Sequence, residues 1–185
     1  MPEPRASAGP GALPRGGSAA VPLRTWAPWL FVSLAVIVVD QLTKHAILAA
    51  LRPGDEHPLL PVLSLVLAFN RGAAFSFLAG ADGWQRWLFT IIALAACALM
   101  LWLLRRGGSV LLCTGLALIV GGALGNLWDR MTLGHVVDFV LVHYGAWTFP
   151  AFNVADSAIT VGALALILDG VRHRHGAAPL PAREP

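Results

Sequence analysis

The sequence predicts an all-α membrane protein of four transmembrane helices, on three observations. The chain is 57% hydrophobic, with a mean hydropathy of +0.69. Only 12% of its residues are charged, about half the share usual in soluble domains. Four apolar runs are long enough, or nearly so, to cross ~30 Å of hydrocarbon at ~1.5 Å per residue.

Residues 1–25, MPEPRASAGPGALPRGGSAAVPLRT, are rich in Pro, Gly and Ala. Such a segment buries no core and is expected to be a disordered tail. The apolar run behind it is too long for the h-region of a cleavable signal peptide. A membrane domain is expected over residues 26–172, with spans at about 27–48, 87–104, 110–127 and 152–171. Residues 173–185 read as a second loose tail. LLRRGGSV joins spans two and three as a tight hairpin, while 49–86 and 128–151 are longer connections. Within the first of these, LLPVLSLVLAF (59–69) is apolar but too short to span, and Pro58 and Pro61 disfavour a long helix. It is expected to be an extended, β-like segment on the membrane surface, open to a peptide by strand addition. Trp84 and Trp87 suit an interfacial belt.

Eight arginines lie in the two tails and the short hairpin: Arg5, Arg15, Arg24, Arg105, Arg106, Arg172, Arg174 and Arg183. The long connections hold four, Arg52, Arg71, Arg86 and Arg130. The positive-inside rule therefore puts both termini in the cytoplasm and both long connections outside. This also accounts for the net charge of +3 without an acidic partner. No basic cluster is interleaved with aromatics, so nucleic acid is not an expected partner. Cys97 and Cys113 sit singly in apolar runs and read as small core residues. His135 and His143 lack a ligand spacing, so no metal site or cofactor is expected.

Charges within a span carry the functional signal. Asp40 and Lys44 in VVDQLTK are four apart on one helix face, close enough to pair. No serine lies in a nucleophile motif such as GxSxG, which argues against a serine–lysine mechanism. Asp40 lies roughly 20 Å up its span, in the outer half. Asn126 closes span three, Asp129, Arg130, His135 and Asp138 follow it, and Asp156 lies one turn into span four. Topology alone thus gathers these polar residues at one depth. Gly121, Gly122 and Gly125 let helices approach closely. Singly, Asp138 reads as a loop acid and Asp156 as a helix N-terminal acid. Together they point to a dyad, because the apolar chain between them can fold back over the membrane. Two carboxylates in contact keep one proton between them. The charged one can activate water while the protonated one polarises a carbonyl and later protonates a leaving amine.

VVDQLTK (38–44), FNRGAAFSF (69–77), GGALGNLWDRMTLGHVVDF (121–139) and FPAFNVADSAITVG (149–162) resemble, in order, the motifs of bacterial lipoprotein signal peptidase, or signal peptidase II. The resemblance runs from about residue 26 to 171. It implies a membrane aspartic endopeptidase that cuts signal peptides from prolipoproteins just before a diacylglyceryl-modified cysteine. It assigns catalysis to Asp138 and Asp156. It implies binding or supporting roles for Asn70, Gly122, Asn126, Asp129, Arg130 and Asn153, and for the Asp40–Lys44 pair. It further implies a small extracytoplasmic β-structure over the site, fitting residues 59–77. A monomer in the bacterial inner membrane, in contact with membrane lipid and with its active site facing outward, is expected. The alternative from residues alone is a small transporter or proton-coupled channel using the intramembrane acids. Such a path should continue across the bilayer, yet only Asp169 lies near the inner end.

Overall fold

The structure is a computed structural model describing residues 22–72 and 83–176. Four long helices cross the molecule: α2 (Trp29–Ala50), α3 (Trp84–Arg105), α4 (Val110–Thr132) and α5 (Val154–Gly176), after a single helical turn, α1 (Leu23–Trp26). All four are long and apolar enough to span a membrane. Helix α4 is central: 61% of its most apolar window is buried, against 22%, 17% and 28% for α2, α3 and α5. The peripheral helices turn side chains such as Phe31, Ile91 and Ile167 outward, as lipid-facing surfaces should.

Small residues set how closely the helices approach. A Cβ on Gly121 would lie 2.7 Å from the Ser33 carbonyl oxygen and 2.8 Å from the Val36 Cβ, both on α2. Gly122 faces Ala155 and Ile159 on α5, and Gly125 faces the Asp40 carboxylate. At the far end of the bundle, Ser109 caps α4 by accepting from the Leu112 N–H at 3.0 Å, and its hydroxyl donates to Asp169 on α5. Cys97 and Cys113 are both buried and unpaired.

At the opposite end, the chain leaving α2 and α4 forms an antiparallel sheet in the order β1 (Glu56–Leu60), β2 (Leu63–Asn70), β3 (Val136–Tyr144), β4 (Trp147–Thr148). Ile47 and Leu51, at the end of α2, pack with Leu67, Val137 and Phe139 beneath it. The sheet was expected over 59–77, but half of it comes from the second long connection. The signal there is the β-branched run in VVDFVLVHY, followed by a glycine turn at Gly145. Residues 73–77 of the expected segment lie outside the described residues, as do 1–21 and 177–185 of the tails. Strand β2 pairs with β3 along its length and with β1 over Leu63–Val66, and β1 is the outer strand of the sheet.

The span limits also moved. Pro28 sets the start of α2, where a missing N–H costs nothing. Helix α4 runs five residues beyond the expected 127, its polar end held by Lys44, Gln41 and the Val137 N–H on Asp129 and by the Gly72 carbonyl on Arg130. It ends at Gly134, whose φ of +79° suits glycine. Asn126, Asp129 and Arg130 therefore sit within one helical turn rather than across a helix and a loop.

The Gly121 contact yields a stability test. Gly121→Ala should force α4 away from α2 and cost about 1–3 kcal/mol, the usual range for overpacking. Thermal unfolding in detergent would register a lower Tm; an unchanged Tm would mean the helices yield at no cost.

Candidate active site

The site is assembled where α2, α4, β3 and α5 meet. Asn153 is the residue before α5, and its Oδ1 accepts the Asp156 N–H at 2.9 Å. In return, the Asp156 Oδ2 accepts the Asn153 N–H at 3.2 Å. This is a capping box, made here with Asp at the third helical position. The arrangement that satisfies the start of α5 also aims the Asp156 carboxylate.

Asp138 reaches the same place through backbone pairing. The Val140 N–H donates to the Phe152 carbonyl at 2.8 Å, and the Phe152 N–H returns a bond to the Val140 carbonyl at 3.0 Å. The chain thus folds back along β3 before entering α5, as the apolar segment between the two acids suggested. Asn153 bridges them: its Nδ2 donates to the Asp138 Oδ1 at 2.7 Å. Asn70, at the end of β2, donates to the Asp138 Oδ2 at 3.1 Å. Asn126 donates to the Asp156 Oδ1 at 2.8 Å.

Burial pushes the Asp138 carboxyl up to about 7, and the neighbouring Asp156 carboxylate adds to the rise. The Asn70 and Asn153 hydrogen bonds and the Lys44 charge oppose it. A carboxyl so placed holds much of its proton up to near neutral pH.

Behind the two acids lies a buried ionic cluster. Lys44 donates to Asp40 at 2.8 Å, to Asp129 at 2.9 Å and to the Asn126 Oδ1 at 3.0 Å. Its three N–H groups are therefore all used. The two carboxylates bind further elements: Asp40 accepts the Ala155 N–H of α5 at 2.9 Å, and Asp129 accepts the Val137 N–H of β3 at 3.1 Å. The expected Asp40–Lys44 pair is present, and Asp129 completes it. Gln41 was not singled out from the sequence, yet it donates to Asp129 at 2.8 Å. Its place between Asp40 and Lys44 in VVDQLTK was the available signal.

In front of the acids is a cleft of about 710 Å³. Asn70, Asn126, Arg130, Asp138 and Asp156 form its polar end, and Phe149, Phe152, Ile159 and Val161 belong to its apolar wall. Arg130 donates to the Gly72 carbonyl at 3.3 Å and lies over the Phe89 ring. Gly122 does not line the cleft; it lets α5 start close against α4. His135 meets Phe69 at a tilt of 52° with ring centroids 4.4 Å apart, and burial holds its imidazole below the usual range. His143 bonds Ser64 at 2.9 Å across the sheet, away from the dyad. Among the described residues, no three His, Cys, Asp or Glu side chains are placed to hold a metal ion. Asp169 lies at the other end of the bundle, bonded to Ser109.

The family model described as signal peptidase (SPase) II matches residues 32–172, which include every one of these side chains. The chain belongs to the signal peptidase II family. It is 53% identical over 165 residues to the lipoprotein signal peptidase of Paraburkholderia phymatum, covering 89% of this chain and 95% of that protein. It is 55% identical over 152 residues to that of Burkholderia cenocepacia, covering 82% and 92%. A bacterial membrane enzyme structure obtained by the in meso method at 2.3 Å resolution superposes with a TM-score of 0.75 at 26% identity, covering 85% of this chain and 95% of that one. A second, at 1.9 Å resolution, gives 0.68 at 29% identity, covering 77% and 91%. This signal peptidase II is thus an aspartic endopeptidase and a multi-pass membrane protein.

The raised Asp138 pKa carries a stability consequence with a definite sign. Between its ordinary value of 3.8 and about 7, the folded peptidase holds a proton that the unfolded chain has released. Stability must therefore fall as pH rises through that window. Asp138→Asn lacks this titration. Wild type should lose Tm relative to the variant between about pH 4 and pH 7; a difference independent of pH would contradict the assignment.

Proposed function

We propose that this signal peptidase II removes signal peptides from prolipoproteins by hydrolysis between Asp138 and Asp156, cutting just before a diacylglyceryl-modified cysteine. The observation that carries this reading is the bridging of both carboxylates by Asn153 at the polar end of an otherwise apolar cleft.

The pair holds one proton. The ionised carboxylate takes a proton from water as the water oxygen attacks the scissile carbonyl carbon. The protonated carboxyl donates to the carbonyl oxygen and stabilises the charge that develops there. The C–N bond then breaks, and a carboxyl proton passes to the leaving amine, returning the pair to its one-proton state. Asn70 and Asn126 hold the carboxylates in place, and Arg130 presents its guanidinium to the peptide backbone. Asp40, Lys44 and Asp129 support these groups from behind, and Gly122 admits α5 to its position.

The apolar wall suits the acyl chains of a substrate that stays in the bilayer, with its scissile bond near the interface. The arginine distribution supports cytoplasmic termini, with tails at 1–25 and 173–185 flanking a membrane domain of 26–172. The dyad then faces the periplasm or cell exterior from the bacterial inner membrane, and a monomer carries every group the reaction uses.

Purified protein in detergent, with chelator present, should cleave a diacylglyceryl-modified prolipoprotein before its cysteine and leave the unmodified form largely intact. Asp138→Asn and Asp156→Asn should each lower kcat by at least ~10²-fold, the lower end of general acid–base contributions. Cleavage in either folded variant at the wild-type rate would refute the mechanism. Activity should also decline above the Asp138 value of about 7, where the pair loses its shared proton.

A further inference from the structure

The polarity of the hydrogen bonds around the dyad is determined by groups that have no choice of role. The Lys44 ammonium has only donors, so the Asn126 atom facing it at 3.0 Å is oxygen. The Asn126 Nδ2 is then forced to face Asp156, at 2.8 Å. In the same way the Asp156 backbone N–H can only donate, so the Asn153 Oδ1 faces it and the Asn153 Nδ2 faces Asp138. Asn153 Nδ2 also lies 3.2 Å from the Asn126 Oδ1, a second donor holding that amide in place. The two acids consequently sit in unequal surroundings. Asp156 receives an amide polarised by a buried cation and a backbone N–H at the start of α5, where the helix dipole favours negative charge. Asp138 receives two neutral side-chain amides, from Asn70 and Asn153.

We infer that Lys44 is a positioning residue of the dyad: by fixing the amide of Asn126 toward Asp156, it makes Asp156 the ionised partner and Asp138 the protonated one. Asp156 is then the group that takes the proton from water, and Asp138 the group that faces the carbonyl oxygen. The inference rests on the dyad reading above. It goes beyond that reading in giving the two acids distinct roles, and in giving the ionic cluster a part in the chemistry.

Among the described residues, the charged groups that act on the dyad are Asp40 and Lys44 on α2 and Arg130, beside Asp129, on α4. Replacing Lys44 alone would strand two buried carboxylates and endanger folding. The double variant Lys44→Met/Asp129→Asn removes one charge of each sign, so the cluster keeps its net charge while Asn126 loses its cationic donor. Gly115→Ala, which crowds the α4–α5 contact at Gly162 about three helical turns from Asn126, is the comparison for loss of stability. Each would be assayed on lipidated prolipoprotein across pH, alongside its Tm.

The expected result for the double variant is a kcat lowered roughly tenfold to a hundredfold, part of the ~10²–10⁴-fold that general acid–base catalysis supplies. KM should stay within about twofold, because uniform binding is untouched. The pH–activity profile should move upward by about one unit, since the positive charge that favours ionisation is gone. Gly115→Ala should leave the profile in place. A folded double variant with the wild-type profile, and no more loss of kcat than Gly115→Ala, would overturn the inference and leave Lys44 a structural residue. Wild-type cleavage by Asp138→Asn or Asp156→Asn would instead overturn the dyad reading itself.

Discussion

One buried ammonium organises this molecule. Lys44 is only 1% exposed and is matched by Asp40, Asp129 and Asn126. A lone charge in such a place would be prohibitively costly. Each partner carries the constraint onward, Asp40 to the start of α5 and Asp129 to the start of β3. Those are the two segments that deliver Asp156 and Asp138. The cluster therefore joins the helical bundle to the sheet at the point where the acids meet.

The fold explains why an acid is tolerated just inside a membrane helix. Asp156 lies in the first turn of α5, where unpaired N–H groups and the helix dipole already favour a carboxylate. Asn153 and Asp156 each accept the other's N–H, and Asp40 accepts that of Ala155. The β3 backbone folds against Phe152 and brings Asp138 beside the same asparagine. Burial there keeps Asp138 near neutrality. The cap of α5 and the bond to Asp138 thus converge on a single asparagine, next to the residue that pairs with β3. The glycines of α4 make room for it by letting α5 begin close to the central helix.

Much of this was legible in the sequence, for physical reasons. Hydropathy located the four spans, since lipid demands long apolar helices. The Asp40–Lys44 spacing announced an ion pair, and four ordered motifs carried the family and the candidate site. What hydropathy misplaced were the polar ends of spans. It stopped span three at 127, although α4 continues through Asp129 and Arg130. Their charges are neutralised by residues distant in sequence, and a local window has no access to those partners. The second half of the sheet was missed for a related reason. The run VVDFVLVHY becomes a strand only because β2 lies beside it. Gln41 was likewise invisible as a partner of Asp129, a contact between residues 88 positions apart.

The most direct test of the account is a structure of the Asp138→Asn protein holding an uncleaved, diacylglyceryl-modified prolipoprotein. The account predicts the scissile carbonyl between position 138 and Asp156, within about 2.6–3.2 Å or one water of each. The acyl chains should lie against Phe149, Phe152, Ile159 and Val161. A scissile bond bound away from Asp156, with the cleft taken up by another part of the substrate, would contradict it.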